Sequence, residues 1–184
     1  MPPLLPLSPG DQLLFHGRRV DFILRPVPCA GGKSLMREVV VHPGAVIILP
    51  VLGDGRIVLI RNQRHTVHET LLELPAGTLE RDAGGVTEDP GACAARELTE
   101  ETGFRAEKVE DFGWFYTSPG ILTEKMYAFI ATGLTAGEQA LEENEQIEVA
   151  PIGPEEVLRL IRENRIVDAK TIATLLKYLV GRNA

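Results

Sequence analysis

No apolar run in this chain of 184 residues approaches the roughly 18 needed to cross a bilayer, so no membrane span is expected. The start, MPPLLPLSPGDQLL, has neither a basic region nor a small-residue cleavage site, which predicts no signal peptide. Cysteine is scarce: Cys29 and Cys93 share no metal-ligand spacing and are expected to be reduced, as suits the cytoplasm. The four histidines form no His-Glu-x-x-His pattern; His65 and His68 sit in a loop-like stretch and read as surface residues without a ligand role. Positive charge is short as well. A net charge of −7 argues against nucleic acid or an anionic membrane as the main partner, and a polyanionic substrate needs local arginines and metal to offset that field. No internal repeat is visible, and the only biased tract is the proline-rich first nine residues, expected to fray.

What remains is an ordinary globular composition, 44 % hydrophobic and 24 % charged, in a chain long enough for one sizeable core with a small appendage. The most informative stretch is Arg96-Glu97-Leu98-Thr99-Glu100-Glu101-Thr102-Gly103-Phe104. At 3.6 residues per turn Glu97, Glu100 and Glu101 project from a single helical face. Like charges so close repel by a few tenths of a kcal/mol per pair, so a plain surface helix gains nothing from them. A hard divalent cation such as Mg²⁺ reverses that balance, because it takes carboxylate oxygens. The pattern points to metal-dependent phosphate chemistry.

Around this helix the chain reads mostly as strands. Short β-like runs are expected at Gln12–Phe15, Val20–Leu24 and Leu35–Val41, split by Pro26/Pro28 and by Gly31-Gly32. Ala45–Leu52 is a continuous apolar run of the kind buried on both faces, and Gly53-Asp54-Gly55 reads as a tight hairpin turn into Ile57–Ile60. Leu71–Leu74 follows, then a glycine-bearing loop. Asp89 and Pro90 supply an N-cap and a first helical residue, with Ala94, Ala95 and Leu98 on the face that meets a sheet. Strands at Val109–Tyr116, Lys125–Ala131 and Ile147–Pro151 precede helices at Pro154–Glu163 and Asp168–Val180, the last with an apolar stripe of Ile172, Leu175, Leu176 and Leu179. Strands around one helix, closed by terminal helices, indicate an α/β sandwich with a mixed sheet.

The helix segment resembles the signature of the Nudix hydrolases, G-x5-E-x7-R-E-U-x-E-E-x-G-U with U a bulky apolar residue. Seven residues separate Glu88 from Arg96, and Leu98 and Phe104 fill the apolar positions. The signature glycine is displaced: position 82 is Asp82, whereas Gly77, in Leu74-Pro75-Ala76-Gly77, lies five residues earlier, so Arg81-Asp82-Ala83-Gly84-Gly85 is read as carrying an insertion. The resemblance implies an α/β/α sandwich over residues 43–184. It implies that residues 1–42 form a small antiparallel β segment serving dimerisation and nucleobase contacts, and that the protein is a homodimer. By resemblance Glu97, Glu100, Glu101 and the Ala76 carbonyl bind Mg²⁺, with Mn²⁺ as the alternative, and Arg96 holds a signature glutamate in place.

Further matches resemble the ADP-ribose pyrophosphatase branch: Leu74–Gly77, Pro119 sixteen residues after Gly103, Glu124 in the Ser118-Pro119-Gly120 loop, Arg37-Glu38, and Arg64. Arg37 and Arg64 are the expected base and phosphate contacts, since guanidinium forks suit both. The aromatic that stacks on adenine in similar enzymes is unmatched; Phe22 is nearest, while the aligned position holds Arg18. Glu145, within Glu142–Glu148, matches the loop glutamate acting as base or water-orienting residue, with Glu143 the competing register. The implied reaction is hydrolysis of ADP-ribose, or a related nucleoside diphosphate sugar, to AMP and ribose 5-phosphate. GDP-mannose hydrolysis and a non-catalytic ligand-sensing module are the alternatives.

Overall fold

Ala45–Pro50 (β4), in which every residue is buried, decides the architecture. Side chains of a strand alternate between faces. Ala45, Ile47 and Leu49 therefore enter one apolar cluster, while Val46 and Ile48 enter another on the opposite side of the sheet. Both faces must be covered, and helices cover them. The computed structural model describes residues 4–82 and 85–181.

Before β4 come β1 (Gln12–His16), β2 (Asp21–Pro28) and β3 (Ser34–Val41); after it come β5 (Ile57–Arg64), β6 (Glu69–Glu73) and β7 (Ala76–Thr78). Helix α1 (Pro90–Thr102) is followed by β8 (Lys108–Tyr116), β9 (Lys125–Thr132), β10 (Ile147–Ile152), α2 (Pro154–Arg162) and α3 (Ala169–Gly181). The strands form a mixed four-stranded sheet ordered β7-β4-β9-β8, an antiparallel sheet β10-β5-β6, and an N-terminal antiparallel sheet β1-β2-β3. Among the paired strands of the described residues, β4 and β9 alone run parallel. Helix α1 covers the Val46/Ile48 face through Cys93, Ala94 and Leu98, and Val157, Leu160, Leu175 and Leu179 of α2 and α3 join the other cluster. This is the expected α/β/α sandwich with an N-terminal β segment.

Local differences have local causes. The Gly53–Gly55 turn forms, with Leu52 N–H donating to the Arg56 carbonyl and Gly55 N–H to the Leu52 carbonyl, each at 2.9 Å. It does not make a hairpin within one sheet, because both edges of β4 are taken by β7 and β9, and β5 leaves for the second sheet after the single Val51–Ile57 bridge. β5 runs past Ile60 to Arg64 because β6 and β10 flank it and pair its polar end. β7, expected as loop, is a strand: Ala76, Gly77 and Thr78 pair with Ile47, Val46 and Ala45. β2 continues through Pro26 and Pro28. Amides two apart point the same way, and Cys29 N–H bonds Lys33 O across the β3 side, so both prolines lack their N–H on the side where β1 has already ended.

The N-terminal stretch is held rather than frayed from Leu4 on: the Leu4 amide donates to Asp21 Oδ2 at 2.6 Å and the Ser8 amide to Asp11 Oδ2 at 2.9 Å. Ala95 is exposed and Cys93 takes its place on the buried face of α1. Leu176 is exposed too, and Thr171 and Thr174 complete the buried side of α3. Ala83 and Gly84 of the expected insertion lie outside the described residues. On either side of them Arg81 bridges Thr87, and Glu88 N–H bonds Glu80 O at 2.8 Å. These flanking contacts, with the Arg96 bonds to Glu88, keep Glu88 beside α1.

Candidate active site

Helix α1 starts where Asp89 Oδ1 accepts from Ala92 N at 3.0 Å and ends at Gly103, whose φ of 74° suits a residue without Cβ. Between these caps one face of α1 looks into a cleft of about 900 Å³. Its walls come from β5, β6, β7, the β1–β2 turn, the segment before β10 and the start of α3. The cleft therefore lies where the two main sheets and α1 meet.

Glu97, Glu100 and Glu101 all line it. Glu101 is 3 % exposed, and its Oε2 accepts from the Ala76 amide at 2.9 Å. Burial, reinforced by neighbouring Glu97 and Glu145, pushes its carboxyl up to about 8, the Ala76 bond opposing. Burial likewise raises Glu97 to about 7, against the pull of Arg96. Arg96 is the hub of the helix face: Nη1 donates to Glu97 Oε1 at 2.9 Å and Glu100 Oε2 at 2.8 Å, while Nε and Nη2 reach Glu88 at 3.2 and 3.1 Å. These bonds raise the arginine further above its ordinary value and lower Glu88.

Among the described residues no three acidic, histidine or cysteine side chains converge into an ion-enclosing cluster. The residues nevertheless fit a hard cation. Every donor is oxygen, and the hydrogen-bond partner of Glu101, the most buried of the three glutamates, is a backbone amide rather than a cation. A Cβ at Gly77 would lie 1.9 Å from both Cδ and Oε1 of Glu97, so β7 supplies a cradle that only glycine leaves open.

The opposite wall carries two cations paired with two carboxylates. Arg64, the last residue of β5, makes a fork with Glu73: Nε to Oε1 at 2.8 Å and Nη2 to Oε2 at 2.6 Å. Lys170 Nζ adds 2.9 Å to Glu73 Oε2 and 2.8 Å to Asp168 Oδ1. Burial opposes ionisation of Glu73, but these cations outweigh it and hold the carboxyl below its usual range. Glu124 also lines the cleft, accepting from Thr117 Oγ1 at 2.6 Å, with His42 Nε2 3.5 Å from its other oxygen.

Glu145 faces the cleft with its Oε2 accepting from the Glu142 amide at 2.9 Å, whereas Glu143 is exposed and does not line it. Ala76 lines it as well. Two candidates lie elsewhere. Pro119 borders a separate depression of about 320 Å³ with Arg25 and Tyr116, and Arg37 is exposed on β3 opposite Arg25. Among the described residues no Phe, Tyr or Trp lines the main cleft; Arg18 and Arg19 of the β1–β2 turn do. Sequence reasoning missed Glu73, Asp168 and Lys170. The available signal was Lys170 itself, a cation in the first turn of a helix, where the helix dipole disfavours it.

The NUDIX domain family model matches residues 41–175. The chain belongs to the Nudix family. It is 38 % identical to an ADP-ribose pyrophosphatase of Bacillus subtilis (strain 168), over 95 % of this chain and 92 % of that one. It is 37 % identical to a methanol dehydrogenase activator of Bacillus methanolicus, over 91 % and 89 %. Its fold matches that of a crystal structure of an ADP compounds hydrolase at a TM-score of 0.79, with 21 % identity and coverage of 95 % and 94 %. The Nudix helix is α1, and Arg96, Glu97, Glu100 and Glu101 of its signature share one cleft with Glu145 and Arg64.

Proposed function

We propose that this Nudix protein hydrolyses the diphosphate bond of ADP-ribose to AMP and ribose 5-phosphate with the help of Mg²⁺, or Mn²⁺. The observation that carries the reading is that Glu101, buried on α1 with a backbone amide and, among the described residues, no ion-paired cation, shares one cleft with Glu97, Glu100 and the Arg64 guanidinium. The near full-length likeness to the B. subtilis pyrophosphatase supports this substrate. Glu97, Glu100, Glu101 and the Ala76 carbonyl would hold the metal. When bound, it neutralises the diphosphate and supplies a more acidic water.

The chain's own residues do the rest. Arg96 fixes the directions of Glu88, Glu97 and Glu100 through four hydrogen bonds, so these carboxylates do not reorganise during reaction. Glu145, which lines the same cleft as Glu97 and Glu101, takes the water proton in this reading. Arg64 meets the diphosphate oxygens, and Glu124 and the Arg18/Arg19 turn border the nucleoside end. Arg37 and Pro119 would join the site only through a second copy of the chain. A homodimer is supported by the exposed Leu14, Phe15, Leu35 and Met36 of the N-terminal sheet, at 51, 62, 56 and 39 %. A cytoplasmic location is supported by the two free cysteines. No helix among the described residues is long and apolar enough to cross a membrane.

One assay tests the substrate. With Mg²⁺ present, kcat/KM is compared for ADP-ribose, GDP-mannose, NADH and diadenosine polyphosphates, because specificity resides in those ratios. ADP-ribose should lead. A tenfold preference for GDP-mannose overturns the branch, and tight ADP-ribose binding without turnover of any substrate favours a sensor.

A further inference from the structure

We propose that Lys170 is a second phosphate-binding cation of the cleft, held beside Arg64 by the buried Glu73 as a positioning residue; this rests on the diphosphate reading above. Lys170 lies on the first turn of α3, 97 residues from Glu73 in sequence, yet its ammonium lines the same cleft as Arg64 and Glu101. Its side chain is 16 % exposed, against 1 % for Glu73.

Three observations separate this role from simple stapling of α3 to the sheet. First, Glu73 does not need a second cation for satisfaction: both of its oxygens already accept from the Arg64 fork. Second, α3 is docked and capped without Lys170. Thr171 Oγ1 accepts from the Leu74 amide at 2.9 Å, and Asp168 Oδ2 accepts from the Thr171 amide at 3.0 Å. Third, a cation in the first turn of a helix opposes the helix dipole, so stability alone gives no reason for lysine there. An ammonium has three donors. One hydrogen-bonds Glu73 and Asp168 Oδ1 lies 2.8 Å away as an ion pair, so the ammonium keeps donor capacity for a ligand.

Charge accounting agrees. Arg64 and Lys170 together balance Glu73 and Asp168, so this wall is neutral when empty of ligand and keeps its cations charged. An incoming diphosphate meets donors already oriented, and their orientation is not lost from the binding free energy. Arg64 presents a planar fork and Lys170 a point charge, which suits two phosphate groups of different geometry.

The test uses Lys170→Met, which keeps the apolar stem and deletes the charge, with Lys170→Arg as the conservative partner. Steady-state kinetics with ADP-ribose and Mg²⁺, calorimetric binding of its α,β-methylene analogue, and thermal melting are measured on the full chain. Lys170→Met should raise KM and the analogue's Kd about tenfold or more, change kcat less than threefold, and leave the melting temperature within a few degrees. Lys170→Arg should restore at least half of the lost binding free energy. Raised Kd should also show a weaker salt dependence, since one cationic contact is gone. A large loss of melting temperature with unchanged Kd overturns the proposal and leaves a staple. Wild-type protein that neither cleaves ADP-ribose nor binds the analogue overturns the functional reading and this inference together; active wild type with unaltered Lys170→Met overturns this inference alone.

Discussion

Glu73 and Glu101 are both buried glutamates on opposite walls of one cleft, and the protein treats them in opposite ways. Glu73 receives the Arg64 fork and the Lys170 ammonium, and its carboxyl is held below the ordinary range despite burial. Glu101 receives one backbone N–H, and burial lifts it to about 8. An isolated buried charge is expensive, and a protein that needs only stability pairs it or replaces it with an apolar side chain. Glu73 has its compensation within the fold. Glu101 has no ion-paired cation among the described residues, which agrees with its proposed role as a metal ligand.

The comparison breaks first at Glu73. Glu73→Gln should lower stability by roughly 1–3 kcal/mol, because it removes the buried carboxylate that Arg64 and Lys170 share. Denaturant unfolding measures it, and a change under 1 kcal/mol shows that the network is not structural. The contrasting variant is Glu101→Gln. It should lose at least ~10²-fold in rate together with metal affinity, as when one strong electrostatic contributor is removed, while melting no earlier than wild type. Unchanged Mg²⁺-dependent turnover removes Glu101 from the metal site. Gly77→Ala should act through the same site by forcing Glu97 out of its cradle, with a rate loss of about tenfold or more, on the scale of a small misplacement of a catalytic group.

Titration sharpens the contrast because the two signs differ. Glu73 is lowered in the folded protein, so its contribution is present above the unfolded value of about 4.5 and lost as pH falls through the lower folded value. Glu101 and Glu97 are raised to about 8 and about 7, so their contribution is complete below about 4.5 and lost as pH rises through those values. In EDTA the melting temperature should therefore decline between pH 5 and pH 8, and Mg²⁺ or Glu101→Gln should flatten that decline. A profile identical with and without Mg²⁺ counts against the assignment. The smallest effect concerns the frame that carries Glu101: Asp89→Ala deletes the cap of α1 and should cost about 1 kcal/mol of stability with little change in kcat.

The sequence by itself determined what depends on neighbours along the chain. Three glutamates at helical spacing, a capping aspartate followed by proline, and glycine at the helix end specify α1 and its acidic face through local geometry alone. The unbroken apolar run at Ala45 likewise required a strand covered on both sides, and the two clusters of β4 meet that requirement. The tertiary structure decided what depends on distant partners. β7 is three small residues with no periodicity to read, and it is a strand because β4 offers an edge. Pro26 and Pro28 signal a break, yet β2 continues because β1 stops short of them. Lys170 meets Glu73 across 97 residues, and no local pattern encodes that meeting. The acidic half of the cleft lies on one helix and was legible. The basic half is assembled from a strand end, a neighbouring strand and a helix start, and folding alone brings it together.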